Sequence, residues 1–236
     1  YYTRIYDQSK VISYYDDVAA TFTNFAMSGI DKVHFGLEAA VSIPIYHTLA
    51  LNGAVSWGQY TYDSNPYYLQ TQDNSGDIVS DGYVYWKDFR VESTPQTAVN
   101  VGLSWRSNNN IYLSADFNYY NNMYLSMSPI YRTDAVITGG MAPGDIEHLR
   151  RQEKFDSAYT LNASIGKNWY IHRKYTLGFS LDVKNILNNQ DIKTGGYEQT
   201  RLSKNTETTV TTYQAFDSKY FYMFGTTYYL NLYFRF

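Results

Sequence analysis

The sequence predicts an all-β protein, a transmembrane antiparallel β-barrel represented here by about eight strands. Three observations lead to this fold class. Apolar and polar residues alternate with a period of two along most of the chain. No apolar run approaches the ~20 residues that a membrane-spanning helix needs. Short connections between the alternating stretches interleave with long ones.

The strands follow from the alternation in chain order. We predict them at 1–7, 33–43, 49–59, 97–106, 111–120, 157–169, 175–184 and 219–236. In the second stretch, Phe35 and Leu37 fall on one face and Glu38 falls on the other. Because successive side chains of a strand point to opposite faces, each stretch is predicted to be a strand with one apolar face.

The charged residues agree with this assignment of faces. Seven charges lie within the six stretches from 33–43 to 175–184 and in 224–236, and six of the seven fall on the polar face. The exception, Lys167, lies near a strand end, where a long side chain reaches the membrane interface. A soluble β-sandwich would tolerate the same pattern with its apolar faces packed together, so the alternation alone leaves both folds open.

The lengths of the connections favour the barrel. Short connections are expected at 44–48, 107–110 and 170–174, and long ones at roughly 8–28, 63–87, 121–155 and 188–218. Loops beyond about 12–15 residues are uncommon in compact domains. Outer-membrane barrels combine short periplasmic turns with long extracellular loops. We therefore expect a cell outer membrane protein with its long loops extracellular and its C-terminus periplasmic.

The C-terminal segment supports a membrane setting. Its alternating apolar face runs to the last residue and consists of Tyr228, Leu230, Leu232, Phe234 and Phe236. Aromatic residues also gather near both ends of the predicted strands, as in the girdles of barrels at the two membrane interfaces. Exposure of an apolar terminus to water is unfavourable, whereas the hydrocarbon of a bilayer would bury it.

The polar faces bear on the size of the barrel. They are rich in small residues, among them Gly36, Ala40, Ser42, Gly102 and Ser104. A closed eight-stranded barrel has its interior filled by side chains, whereas a wide lumen needs no filling. We therefore favour an arc of a larger barrel. The alternative is a small eight-stranded outer-membrane barrel with an adhesin or structural role.

Composition and motifs argue against several other functions. A net charge of -3 gives no basic surface for nucleic acid, and zero cysteines exclude disulfides and thiolate metal sites. The chain has no Walker loop, G-x-S-x-G or H-E-x-x-H motif, so we expect no enzyme. The four histidines are scattered and predict no metal site or cofactor: His34, His47, His148 and His172.

One acidic segment has a weak likeness to a calcium loop. Asp73, Asp77 and Asp81, with Ser75 between the first two, lie where such a loop has ligands. The sixth and twelfth positions are Ile78 and Val84 in place of the glycine and the acid that an EF-type loop requires. We therefore predict a solvated acidic loop.

Several segments resemble the end of a TonB-dependent receptor. They are GIDKVHFGLEAAVSI, LNGAVSWGQYTYDSNP, RVESTPQTAVNVGLSWR, NYYNNMYLSMSPIYRT, FSLDVKNILNNQDIKTGGYEQ and YFYMFGTTYYLNLYFRF. The most specific part is LDVKNILNN followed by a loop and a last strand that ends in Phe. The most similar branch is the large receptors with a carboxypeptidase-regulatory-like N-terminal extension, related to the starch-utilisation type. The resemblance covers nearly the whole chain.

The resemblance implies a plugged barrel of about 22 strands, of which this chain supplies the C-terminal eight or so. The plug, the TonB-contacting segment and the first strands are expected to lie outside this sequence. The implied function is active import of a scarce or bulky nutrient, such as a glycan, a peptide or a siderophore. The implied partners are outer-membrane lipid, the plug, TonB with its inner-membrane motor, the barrel-assembly machinery and, as in many starch-utilisation relatives, a surface lipoprotein lid.

Candidate site residues come from the long loops. Tyr124 and Tyr131 could stack on a ligand, and Arg132 could bind an anion. Tyr197 lies in TGGYEQTR, which is similar to a recurrent family segment. Packing between loops is the alternative role for each of them. The resemblance also implies that the apolar face of the last strand, Tyr228 to Phe236, is read as an assembly signal.

Overall fold

The computed structural model describes residues 1–17, 19–138, 151–172, 174–205 and 212–236. These residues form an almost wholly antiparallel β protein, as predicted. The strands are β1 Tyr2–Asp16, β2 Thr21–Tyr46, β3 Leu49–Tyr62, β4 Tyr67–Gln72, β5 Ile78–Tyr83, β6 Thr97–Arg106, β7 Ile111–Asn121, β8 Ala158–Ile171, β9 Tyr175–Lys184, β10 Lys193–Tyr197, β11 Leu202–Asn205, β12 Thr212–Ala215, β13 Lys219–Tyr222 and β14 Thr227–Arg235. A 3₁₀ turn, Ile130–Arg132, precedes the short helix α1, Asp134–Thr138. Among the described residues, no helix has the length and apolarity needed to cross a bilayer.

Eight strands form a continuous antiparallel meander, which we call the wall: β1, β2, β3, β6, β7, β8, β9 and β14. Each pairs with the next, and each overlaps one of the eight stretches predicted from the alternation. In the part of the chain that the structure describes, β1 and β14 are the outermost strands of the wall and do not pair with each other.

The two ends of the wall differ. At one end, called the turn end, strands are joined by short turns at 47–48, 107–110 and 172–174, of which Arg173 lies outside the described residues. The first turn is shorter than predicted because β2 continues to Tyr46. All longer connections between wall strands lie at the opposite end, which we call the loop end.

The predicted long connection at 8–28 is wrong. β1 and β2 continue through it as a hairpin, and only residues 17–20 join them. The register of this hairpin shifts around Gln8, and Asp7 and Gly29 nearby have φ of 53° and 73°. Beyond this irregularity, odd-numbered Phe25 and Met27 are buried, whereas nearer the turn end the odd-numbered residues of β2 face outward. The change of phase hides the strand from a simple test of alternation.

The other long connections also contain structure. The hairpin β4–β5 pairs with the loop-end part of β2, and β10 pairs with β13 while β11 pairs with β12. The strand predicted at 219–236 is therefore two strands, β13 and β14, separated by residues 223–226. In the connection between β7 and β8, residues 139–150, including His148, lie outside the described residues.

The apolar face of the wall is exposed. Leu37 is 66 % exposed, Leu232 is 71 % exposed and the terminal Phe236 is 94 % exposed. The same face carries further exposed side chains: Val41, Val55, Val101, Leu103, Leu113, Phe117, Ile165, Leu177, Leu230 and Phe234. A β-sandwich would bury such residues against a second sheet. The described residues therefore do not form a packed sandwich.

The polar face is crossed by hydrogen bonds between side chains of neighbouring strands. Ser42 donates to Asn52 at 2.7 Å, and Asn52 donates to Ser104 at 3.2 Å. Further along the wall, Asn100 donates to Asn118 at 2.8 Å. These short polar side chains link four successive strands, β2, β3, β6 and β7, without filling the space in front of them.

The buried core lies at the loop end. It is formed by the β1–β2 hairpin, the β4–β5 hairpin and the connections that follow β3 and β7. Its members are Tyr14, Phe25, Met27, Ile30, Tyr62, Tyr68, Val84, Trp86, Met127, Ile130, Tyr131 and Val136. We call this set the loop-end core. It holds the long connections in one arrangement, because its residues come from three stretches of chain that are distant in the sequence.

Candidate functional site

A buried ion pair joins two long connections at the loop end. Arg132, whose side chain is 2 % exposed, donates from Nη1 and Nη2 to the two carboxylate oxygens of Glu198 at 2.5 and 2.9 Å. The backbone amide of Ser128 donates to the same carboxylate at 2.8 Å. Such a two-pronged pairing fixes geometry as well as charge. We call Arg132, Glu198 and Ser128 the clasp.

A second set of contacts extends the clasp to the β1–β2 hairpin. The Tyr131 hydroxyl donates to the carbonyl oxygen of Arg201 at 2.8 Å, and burial raises the pKa of Tyr131 to about 12. The guanidinium of Arg201 pairs with Asp17 at 3.0 Å. The connections after β7 and β9 and the tip of the first hairpin are thereby tied together.

The four predicted ligand contacts lie in different surroundings. Tyr131 and Arg132 are each 1 % exposed and contact protein within the loop-end core, as the loop-packing alternative describes. Tyr124 is half-buried and bridges Lys154 through the backbone. Tyr197 is 45 % exposed, and its ring lies 5.9 Å from that of Phe221. Ligand contact by these residues stays a prediction.

The predicted assembly signal lies on the outward face of the wall. Tyr228, Leu230, Leu232, Phe234 and Phe236 are all exposed. The ring of Phe234 stacks on that of Tyr175 at 5.7 Å, across the β9–β14 pair. This accessibility is compatible with recognition by assembly machinery, which stays a prediction.

The histidines that the structure describes are separated from one another. His34 lies on the polar face with its ring 4.8 Å from that of Tyr60, whereas His47 and His172 lie in turns at the turn end. Within the described ranges, no three His, Asp or Glu side chains gather in an arrangement that could hold a metal ion. In the acidic segment, Asp73 and Asp77 accept hydrogen bonds from nearby side chains.

A cleft of about 250 Å³ opens beside the loop-end core, and we call it the rim cleft. It lies between the β1–β2 hairpin, the β4–β5 hairpin and the segment that carries α1. Three aromatic residues of the loop-end core, Tyr14, Phe25 and Tyr68, form its floor. Its more polar lining consists of Asp16, Asp17, Gln70, Ser80, Thr133 and Thr200.

The polar groups of the rim cleft are held in place by hydrogen bonds. Gln70 donates from Nε2 to Asp16 at 2.6 Å, and the amide of Ala19 donates to the same carboxylate at 3.1 Å. Tyr68 and Ser80 share a hydrogen bond of 2.9 Å between their hydroxyl groups. Burial raises the pKa of Tyr68 further above the physiological range, so the hydroxyl keeps its proton for the bond with Ser80.

Sequence reasoning did not identify the rim cleft. Its lining comes from segments more than a hundred residues apart, and the hairpin that carries Tyr14 and Asp16 was predicted to be a loop. The available signal was the alternation within VISYYD and TFTNFAM, which reads as strand once the phase change near Gln8 is allowed for.

Comparison with known proteins adds no identification. No protein-family model matches the chain, and no curated protein sequence matches it.

Proposed function

We propose that this chain forms part of the wall of an outer-membrane β-barrel through which the protein imports a nutrient. The observation that carries the proposal is the contrast between the two faces of the wall. Large apolar side chains such as Leu37 and Leu232 are exposed on one face, while the other bears short, hydrogen-bonded polar groups. A bilayer on one side and a watery lumen on the other would satisfy both faces.

The open edges of the wall support a barrel of more than eight strands. A closed eight-stranded barrel needs its first and last strands to pair, and β1 and β14 are unpaired with each other in the described residues. The short side chains of the polar face also suit a wide lumen. These two features favour the transporter over the small adhesin or structural barrel.

The finer parts of the proposal rest on the resemblance of LDVKNILNN and the segments around it to TonB-dependent receptors. On this basis the lumen holds a plug, TonB and its inner-membrane motor supply the energy, and a surface lipoprotein lid is a candidate partner. The loop end faces the outside of the cell and the turn end faces the periplasm, in keeping with the long and short connections of barrels.

The proposed contact of the apolar face with lipid is tested by introducing an arginine on one face of β2 or on the other. Val41 is 56 % exposed on the apolar face, and neighbouring Ala40 lies on the polar face. In the full protein, Val41→Arg should destabilise the folded barrel by about 2–4 kcal/mol, because it places a guanidinium in hydrocarbon. Ala40→Arg, the matched control, should leave stability nearly unchanged. Urea titration of the protein in lipid vesicles measures both, and equal effects would contradict a lipid-facing surface.

The transport step needs an experiment of its own. A strain lacking the gene should lose uptake of one class of cargo, tested across glycans, peptides, siderophores and vitamin complexes. Uptake by the wild type should stop when a protonophore collapses the inner-membrane gradient. A protein that stays in the outer membrane while every uptake rate is unchanged would support the structural or adhesin role.

A further inference from the structure

We propose that the rim cleft binds a lysine-like group, an aliphatic stem ending in an ammonium, presented by a peptide or another amine-bearing ligand. The inference rests on the proposed function in one respect: the loop end must face the medium that carries the ligand.

The floor suits an apolar stem. Tyr14, Phe25 and Tyr68 belong to the loop-end core, and the rings of Phe25 and Tyr68 stack at 4.6 Å with 12° between their planes. Methylene groups that pack against these rings would be removed from water, which favours binding. An ammonium near an aromatic face gains a further attraction from the ring quadrupole.

The rim offers hydrogen-bond acceptors. Asp16 and Asp17 contribute carboxylates. Gln70 already donates hydrogen bonds from its amide nitrogen to Asp16 and Thr23. The group that Gln70 can offer a ligand is therefore its carbonyl oxygen. Asp16 accepts hydrogen bonds from Gln70 and from the amide of Ala19, and its negative charge attracts a cation. An ammonium with three donors matches such a rim.

Charge makes the rim cleft selective. Among the described residues that line it, Asp16 and Asp17 are the charged ones, and the guanidinium of Arg201 contacts it through Asp17. Because Arg201 compensates the charge of Asp17, the carboxylate of Asp16 leaves the lining with a negative charge, which repels an anionic ligand and attracts an ammonium. The cavity of about 250 Å³ lies below the ≈ 300–1,000 Å³ of drug-sized sites and has room for one side chain.

The test uses the full protein in detergent and three peptides: acetyl-Ala-Lys-Ala-amide, the same peptide with its lysine Nζ acetylated, and acetyl-Ala-Glu-Ala-amide. Binding is measured by ligand-observed NMR titration. We expect the lysine peptide to bind at least about 10-fold more tightly than either of the other two, the factor that ~1.4 kcal/mol corresponds to. Equal affinities, or no binding of the lysine peptide, would overturn the proposal.

Two variants in the cleft and one control outside it locate the effect. Asp16→Asn keeps an acceptor for Gln70 and should weaken binding of the lysine peptide about 10-fold. Asp77→Asn, in the turn between β4 and β5 and outside the cleft, should leave affinity unchanged. Ala135→Trp, on the exposed lining, should block the cleft and abolish binding. Unchanged binding in Asp16→Asn or Ala135→Trp would contradict the assignment.

Failure of this inference is distinguishable from failure of the proposed function. If the peptides do not discriminate while the protein remains in the outer membrane and supports uptake, the rim cleft is not the ligand site and the transporter proposal stands. If the lysine peptide binds as expected but no uptake depends on the gene, the cleft is a binding site of a protein that does not transport.

Discussion

Arg132 and Glu198 are a charged pair that the protein has removed from water. Their side chains are 2 % and 11 % exposed, and Arg132 also lies 5.3 Å from the centre of the Phe89 ring. Removing one partner of such a pair leaves the other buried and uncompensated, which costs more than the pair contributes when intact. Loss of either Arg132 or Glu198 should therefore disturb the arrangement of the loops, because the remaining charge would be buried without a partner.

We predict that Glu198→Ala destabilises the loop-end core by roughly 3–5 kcal/mol, because Arg132 stays buried without its carboxylate. Amide hydrogen exchange at 124–137 measures the opening of this segment. Asp17→Ala, the control, removes an ion pair whose partner Arg201 is 52 % exposed, and should cost at most about 1 kcal/mol. Equal exchange rates in the two variants would show that burial of the clasp is unimportant.

The raised pKa of Tyr131 predicts a loss of stability in alkali. Its folded pKa of about 12 lies above the ordinary value of 10.0, so the unfolded chain releases this proton first as the pH rises. The contribution is fully present below pH ~10 and is lost progressively towards pH ~12. Tyr131→Phe should flatten part of this dependence and cost about 0.5–1.5 kcal/mol at neutral pH for the bond to Arg201. Urea titrations at pH 8 and pH 11 measure both effects.

Neither of these residue environments could be read from the sequence. Arg132 and Glu198 are 66 positions apart, and no local pattern in a mixed aromatic and basic loop distinguishes a buried arginine from a ligand-binding one. The sequence therefore leaves both roles of Arg132 open, ligand binding and packing between loops. The burial of Arg132 comes from contacts with Glu198 and Phe89, which are distant in the sequence.

At the scale of the elements, the wall strands were predictable because one rule governs each of them. β6 and β9 have the predicted bounds. β3 and β7 begin as predicted and end three residues and one residue later, and β8 begins one residue and ends two residues later than predicted. The loop end was predicted poorly. In β2 the phase of alternation changes near Gly29, and β4 is a short strand within a polar connection. Propensity alone does not mark such strands, since tertiary pairing decides them.

Two cross-strand pairs on the polar face combine a glycine with a tyrosine. Tyr112 lies opposite Gly166, and Tyr233 lies opposite Gly178. A Cβ built on either glycine would overlap the ring of its tyrosine partner. The rings therefore lie flat over the glycines, and a larger residue would have to push them away from the wall.

We predict that Gly166→Ala destabilises the wall by about 1–3 kcal/mol, because the ring of Tyr112 and the carbonyl of Phe179 leave no room for a methyl group. The control is Gly53→Ala, where the added Cβ would lie 3.5 Å from Val41, an ordinary contact. Its effect should be neutral or slightly stabilising. Urea unfolding in lipid vesicles compares the two, and a neutral Gly166→Ala would contradict the packing described here.

At the scale of the whole molecule, the wall of eight strands has its buried core at the loop end. Stability within the wall comes from backbone pairing and short polar side chains, since none of the described residues forms a layer over the apolar face. The proposed bilayer would supply that layer. The class of fold was predictable because alternation and connection length are local properties, whereas closure of a barrel is a property of strands that must meet across the whole structure.

Engineered cysteines distinguish a small closed barrel from a larger one. The chain has no cysteine of its own, so a disulfide between introduced pairs is unambiguous. Asn231→Cys combined with Ser180→Cys joins paired strands and should oxidise readily, because paired Cα atoms lie within disulfide reach. Asn231→Cys combined with Thr3→Cys or Ile5→Cys should not cross-link. Mass spectrometry of the full protein after mild oxidation gives the result, and a β1–β14 disulfide would favour the small barrel.

The unpaired edges of β1 and β14 have a practical consequence for anyone who expresses these 236 residues alone. Each edge displays a ladder of backbone donors and acceptors that a neighbouring copy is able to complete. Such a preparation would be expected to polymerise into fibres, edge joined to edge, unless detergent intervenes. Poor solubility would then report on the open edges and not on a faulty fold.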